Sequence, residues 1–267
     1  MALAALGLGI IAARGATTDA PCPPVVSASF ADNGAAALLA GRSGARGPLR
    51  ILAIGSSSTL GVGASSPGHA YPAQLAAELT SRWGIPTEVR NAGVGGEICS
   101  ATLARLRAEL AADRPDLVLW QVGTNDAVTN VAVADFRADL EAGIAASRAR
   151  GASIILVDPQ LYEGVKNIKR LEEFVDAVRE VGAEMHAPVF SRFAMMKAWA
   201  ESSAAVLRAS LSSDGFHMDD QGYACFARAL AGDIAARSAA SAQTGSAGGS
   251  VANTVSGDAA KPTATRM

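Results

Sequence analysis

Five short runs, mostly of branched and aromatic residues, punctuate the chain: RILAIG (50–55), TEVRN (87–91), DLVLWQVG (116–123), SIILVD (153–158) and APVF (187–190). Each is bounded by turn residues and is too short for a helix, so each reads as a strand. Between and after them the apolar residues recur at helical spacing. Leu75, Leu79 and Trp83 form one stripe; Cys99, Leu103, Leu106 and Leu110 a second; Val133, Phe136, Leu140 and Ile144 a third. Ile168, Leu171, Val175 and Val178 make a fourth, and Tyr223, Phe226, Leu230 and Ile234 the last. Strands that alternate with helices, and that read as continuously apolar, demand a parallel sheet covered on both faces. The expected fold is α/β, a three-layer α/β/α sandwich.

The limits of that domain follow from what surrounds it. The chain of 267 residues has room for one sizeable domain, expected over residues 49–238. Residues 21–48 are rich in Ala, Gly, Pro and Ser without periodicity and read as an irregular leader, part of an N-terminal segment 1–48. Residues 239–267 are a low-complexity run of small and polar side chains, expected to be disordered because they offer little apolar surface to bury. The apolar run from Ala2 to Ala13 is shorter than the ~20 residues of a membrane-spanning helix, so no stable membrane anchor is expected. Its length suits a secretory signal, yet no Lys or Arg precedes it. Two readings stay open: a periplasmic or secreted protein, or a cytoplasmic one with a frayed alanine-rich terminus.

Charge and cysteines exclude several function classes. With 23 basic against 25 acidic residues there is no basic field to attract nucleic acid. Three cysteines, Cys22, Cys99 and Cys225, are too few and too scattered for a zinc site. Cys99 and Cys225 read as buried free thiols, or as a bridge if the protein is exported, with Cys22 left over in either case. No metal and no cofactor is expected, and the oligomeric state is not legible.

In an open parallel sheet, ligands bind outside the carboxyl ends of the strands. Here the first strand ends in Gly55-Ser56-Ser57-Ser58, the second runs into NAGVGGE (91–97), and the third into Gly123-Thr124-Asn125-Asp126. A serine hydroxyl can serve as nucleophile, and glycine-turn N–H groups with the Asn125 amide can donate to an oxyanion. The base must come from three histidines. His69 lies in a Gly/Pro loop and reads as a rim or structural residue, and His186 reads as surface. His217 stands three residues after Asp214 and just before the last helix, where the carboxylate can orient the imidazole.

In these blocks, taken in order from Arg50 to Ile234, the chain resembles the SGNH/GDSL hydrolase superfamily. The resemblance implies a flavodoxin-like sheet of order 2-1-3-4-5 and makes Ser57 the nucleophile, in Gly55-Ser56-Ser57 where the superfamily usually has Gly-Asp-Ser. It assigns the second-block glycine to Gly96, the third-block amide to Asn125, and the remaining catalytic pair to Asp214 and His217. The oxyanion hole it implies is built from the N–H groups of Ser57 and Gly96 with the Asn125 side chain. Ser56 in place of aspartate puts the local turn geometry in question more than the catalysis.

The expected function is serine-dependent hydrolysis of carboxylic esters, with a small-molecule or carbohydrate ester as partner. Short-chain acyl or O-acetyl carbohydrate esters are preferred, because the Ser65–Tyr71 loop and the DPQLYEGVKN segment (158–167) are short for a lipid-covering lid. A lysophospholipase or thioesterase is the enzymatic alternative, and a non-catalytic carbohydrate-binding relative the alternative of another class.

Overall fold

A computed structural model describes residues 22–23, 47–162 and 165–247, with side chains characterised as far as residue 236. The five expected strands are present as β1 (Leu49–Gly55), β2 (Thr87–Gly93), β3 (Leu117–Gln121), β4 (Ser153–Val157) and β5 (Val189–Phe190). They form one parallel sheet of order β2-β1-β3-β4-β5. Gly55 lies beside Gly93, and Ile54 beside both Ala92 and Trp120, so the carboxyl ends of β1, β2 and β3 are neighbours.

Alternate residues of the strands feed two cores. Leu49, Ile51 and Ala53 of β1 pack with α2 (Tyr71–Trp83), α7 (Arg192–Ser202), α8 (Ala204–Arg208) and α9 (Asp220–Ala247). Leu52 and Ile54 face the other way, onto α3 (Cys99–Ala112), α5 (Val133–Ala149) and α6 (Ile168–Glu184). Two short helices, α1 (Ser57–Leu60) and α4 (Thr124–Val128), follow β1 and β3 directly. β2 is an edge strand, which explains the polar alternation of its sequence; Arg90 there pairs with Glu109 of α3 at 2.6 Å. α5 comes very close to the sheet. A Cβ placed on Gly143 would lie 2.0 Å from Cζ3 of the fully buried Trp120, so only glycine admits this approach.

Several expectations need correcting. Trp83, read as the end of a buried stripe, is 45% exposed because α2 ends there at a left-handed Gly84. The buried stripe of α6 is Leu171, Phe174, Ala177, Val178 and Val181, whereas Ile168 and Val175 lie at its margin. The last helix runs to Ala247, past the limit expected at residue 238, since alanine-rich sequence favours helix. The apolar run 2–13, most of the leader and the tail beyond 247 lie outside the described residues.

The cysteines pair in a way the sequence did not suggest. Cys22 is bonded to Cys225 of α9, and Cys99 is a buried free thiol. Cys99 opens α3 on one face of the sheet and Cys225 belongs to the core of the other face, so the sheet separates them. Cys22, which packs against the α9 side, is the partner within reach.

Candidate active site

β1 ends in a turn that only glycine can make. A Cβ on Gly55 would lie 2.5 Å from Thr59 Oγ1 and 2.8 Å from the Gln121 carbonyl oxygen. The chain then enters α1, with Ser57 as its first residue. The hydroxyls around Ser57 are committed elsewhere. The Ser56 N–H and Oγ and the Thr59 Oγ1 all point their donors at Oε1 of buried Gln121, at 3.2, 3.3 and 3.2 Å. Ser58 Oγ donates to Gln160 Oε1 at 2.8 Å. Ser56 thus fixes the turn through Gln121 where the superfamily has a carboxylate, and Ser57 alone of the three serines faces the histidine.

The Ser57 hydroxyl lies 2.8 Å from His217 Nε2, and His217 Nδ1 lies 2.6 Å from Asp214 Oδ2. A carboxylate only accepts, so the ring proton sits on Nδ1 and Nε2 is left to accept from the serine. The loop holding these two residues is closed by Ser212 N–H donating to the His217 carbonyl at 2.8 Å and by a bridge between Leu211 and Met218. Asp214 Oδ1 takes Ser212 Oγ, Phe216 N–H and His217 N–H at 2.7, 2.8 and 2.9 Å. Partial burial pushes the Asp214 carboxyl up, but its bond from the His217 ring and these three others outweigh that and hold it well below the usual carboxylate range. The segment after α1 presses on this loop. Gly63, at φ +93°, approaches so closely that a Cβ would lie 2.3 Å from the Met218 carbonyl oxygen.

Groups able to donate hydrogen bonds towards Ser57 are expected on the two neighbouring strand ends. β2 ends at Gly93, whose Cβ would fall 2.0 Å from the Leu60 nitrogen, so this loop is laid against α1. Gly96 follows at φ +79°, with no heavy atom within 4 Å of the space a Cβ would fill. That space is open, and the left-handed backbone is one that glycine adopts without strain. Asn125, second residue of α4, donates one Nδ2 hydrogen to the Glu97 carbonyl at 2.8 Å and keeps the other available. The loop is clamped by Arg105 of α3, which binds Glu97 through Nε and Nη2, the Ala92 carbonyl at 2.8 Å and the Gly55 carbonyl at 3.2 Å.

All five candidate site residues therefore come from the strand-end turns of β1, β2 and β3 and the loop before α9. A hydroxyl bonded to an imidazole that a carboxylate orients, next to an amide and a glycine turn, can perform acyl transfer through a covalent intermediate. The other two histidines lie outside the Ser57–His217–Asp214 hydrogen-bond chain. His69 contacts Ser65 and Ser66 at 2.9 and 3.1 Å and lies 3.5 Å from Asp220, while the His186 carbonyl accepts from Arg148. Gln121, Arg105 and Gln160 escaped the sequence reading. The rule that directed attention to strand ends covers Gln121 and Gln160, but Arg105 on a helix had no such signal. Among the described residues no group of three or more His, Cys, Asp or Glu could hold a metal ion.

A cavity of about 390 Å³ lies beside this arrangement, between the end of α4 and the start of α6. Its lining includes Asn130, Tyr162, Lys166, Asn167 and Phe216, the last immediately before His217. The Tyr162 and Phe216 rings pack together with centroids 4.6 Å apart.

Comparison with known proteins places this geometry in context. The sequence model of the Non-GDSL lipase-like family matches residues 25–240. Esterase TesA of Pseudomonas aeruginosa is 32% identical over 111 residues, 42% of this chain and 54% of that protein, so the match spans about half the length of that relative. A lipase/acylhydrolase from Enterococcus faecalis superposes with a TM-score of 0.60 at 27% identity, over 70% of this chain and 96% of that one. A variant of Axe2, an acetyl xylan esterase from Geobacillus stearothermophilus, superposes with a TM-score of 0.57 at 21% identity, over 68% of this chain and 92% of the other.

Proposed function

Since the chain belongs to the Non-GDSL lipase-like family, within the SGNH/GDSL superfamily of ester hydrolases, we propose that it works through an acyl-enzyme on Ser57 and acts on short-chain or O-acetyl esters of carbohydrates. Against the non-catalytic carbohydrate-binding alternative, Ser57, His217 and Asp214 are all present and joined by hydrogen bonds. The observation that carries the proposal is the chain of contacts Ser57 Oγ to His217 Nε2 to Asp214, at 2.8 and 2.6 Å.

In this reading Ser57 Oγ attacks the ester carbonyl carbon while its proton passes to His217 Nε2. The carbonyl oxygen becomes an oxyanion, held by the N–H groups of Ser57 and Gly96 and by the free Asn125 Nδ2 hydrogen. His217 returns the proton to the departing alkoxide, leaving an acyl-serine. A water molecule, deprotonated by the same nitrogen, then attacks the acyl carbon, and Ser57 recovers its proton as the acid leaves. Asp214 stays ionised throughout and steadies the imidazolium.

The substrate preference rests on the cavity beside Phe216. At about 390 Å³ it falls in the range of small-ligand sites, and an aromatic pair flanked by Asn130, Lys166 and Asn167 suits a hydroxylated ring that stacks and hydrogen-bonds. A second reading, a lysophospholipase or thioesterase for longer acyl chains, is favoured by Leu60, Val94 and Val128. These stand exposed on the same three segments that carry Ser57, Gly96 and Asn125. Export to the periplasm or beyond is supported by the Cys22–Cys225 disulfide, a bond that persists in oxidising compartments.

The test combines labelling with a substrate panel. A fluorophosphonate should modify Ser57 and fail on Ser57→Ala, whereas an adduct mapped to Ser56 or Ser58 defeats the mechanism. Among p-nitrophenyl esters of rising chain length, acetylated xylan and lysophospholipid, the acetyl esters should turn over fastest. Preference for long acyl chains would select the second reading.

A further inference from the structure

β4 runs into Asp158-Pro159-Gln160, a strand end that contributes nothing to the catalytic scheme above. Gln160 is nonetheless fully buried, and its side-chain amide touches both halves of the site. Oε1 accepts from Ser58 Oγ at 2.8 Å, and Nε2 donates to the Phe216 carbonyl at 2.8 Å. Ser58 is the residue after the nucleophile and Phe216 the residue before the base. The orientation of the amide is forced, because a carbonyl oxygen can only accept and must therefore meet the NH₂ end.

The seat of Gln160 is rigid. Its backbone N–H donates to Thr124 Oγ1 at 3.2 Å, next to Asn125. Pro159 lies against Gly123, where a Cβ would come within 2.9 Å of its ring. Asp158 accepts from Ser191 Oγ at 2.6 Å and from the Phe193 N–H at 2.8 Å. Buried Arg192 reaches Thr124 Oγ1 at 3.5 Å and the Asp158 carbonyl at 3.3 Å. One side chain anchored to the sheet thus spans from the nucleophile's helix to the histidine's loop.

We propose that Gln160 is a positioning residue, whose amide holds Ser57 and His217 at reacting distance by bridging Ser58 Oγ to the Phe216 carbonyl. This rests on the reading of Ser57 and His217 as nucleophile and base, and it adds the element that sets their separation. The distance matters because proton transfer needs hydrogen-bond contact, and a displacement of about 1 Å can cost about 100-fold in rate. The bridge meets Phe216 at its backbone carbonyl while the cavity uses its ring, so the loss belongs chiefly in kcat and less in KM.

The experiment compares wild type, Gln160→Leu, Ser58→Ala and the double variant with p-nitrophenyl acetate, alongside Ser57→Ala. Gln160→Leu should lower kcat about 10- to 100-fold and Ser58→Ala about 10-fold, with KM changed less than about twofold. Because both act on one bridge, the double variant should be no slower than the slower single variant. A fall in kcat of less than about fivefold in folded Gln160→Leu, or losses that multiply in the double variant, overturns the proposal. Should Gln160→Leu not fold, Ser58→Ala, which removes a single oxygen, decides by the same kcat criterion. Ser57→Ala separates the two levels of inference. If it still turns over, the catalytic reading itself fails; if it is inactive while Gln160→Leu turns over normally, only the bridge is lost.

Discussion

Replacing Asn125 with alanine removes one hydrogen bond present in the structure and one proposed for the transition state, and their sizes separate cleanly. One Nδ2 hydrogen holds the Glu97 carbonyl at 2.8 Å, and losing that bond costs about 0.5–1.5 kcal/mol of stability. The loop it restrains does not depend on it alone, since Arg105 grips Glu97 and the carbonyls of Ala92 and Gly55. For a domain of this size the Tm should fall about 2–4 °C per kcal/mol. The second hydrogen is assigned to the oxyanion, where it acts chiefly in the transition state. Removing such a donor costs about 10²- to 10³-fold in kcat, or about 2.7–4 kcal/mol, with a smaller effect on KM. The assay is steady-state hydrolysis of p-nitrophenyl acetate beside a thermal melt. A variant that melts a few degrees early and keeps a kcat near wild type would show that Asn125 only secures the Glu97 loop, and the oxyanion assignment would fall.

Other expectations follow from particular contacts. Gly143→Ala should cost about 1–3 kcal/mol by driving a methyl group into Trp120, read as a lowered Tm; an unchanged melt would mean that α5 can slide. Burial pushes the Asp158 carboxyl up to about 7, against the Ser191 and Phe193 hydrogen bonds and the charge of Arg192. A folded value above the unfolded one of about 3.9 makes its contribution greatest at low pH and lost as pH rises towards 7. The Tm of Asp158→Asn relative to wild type should therefore climb between pH 4 and 7, and a flat difference would contradict the burial argument. Asp214 has the opposite sign: its contribution is complete above its unfolded value and fades as pH falls through the lowered folded one, so the gap between wild type and Asp214→Asn should close in acid. In the proposed mechanism His217 activates the hydroxyl, so EDTA should leave ester turnover intact; loss restored by a divalent ion would overturn that mechanism.

The strands were legible because each is a short run of branched or aromatic residues between turn residues, and β2 was legible even as a polar edge. Asn125, Asp214 and His217 could be singled out from their own chemistry at a strand end or before a helix, whereas the choice of Ser57 among three serines and of Gly96 among the neighbouring glycines came from the resemblance to the SGNH/GDSL superfamily. Gln160 has no such signal; its significance comes from what stands at the two ends of its amide, Ser58 and Phe216, and they are far from it in sequence. The Cys22–Cys225 pairing was hidden for a related reason, since spacing does not reveal which face of a sheet a thiol occupies. α7 escaped notice because Arg192, Phe193, Met195, Met196 and Trp199 bury several sides of it, so no single stripe repeats along it.

The two reacting side chains are 160 residues apart, one at the first strand and the other just before the last helix. A chain synthesised from its N-terminus therefore carries the proposed nucleophile early and the proposed base late. Until α9 has emerged and packed against α2, Ser57 is an ordinary alcohol with no partner to take its proton. Long-range contacts of this kind form late in folding. Under the proposed mechanism ester turnover can thus serve as a stopwatch for completion of the domain, with a growing chain chemically silent towards esters until α9 arrives.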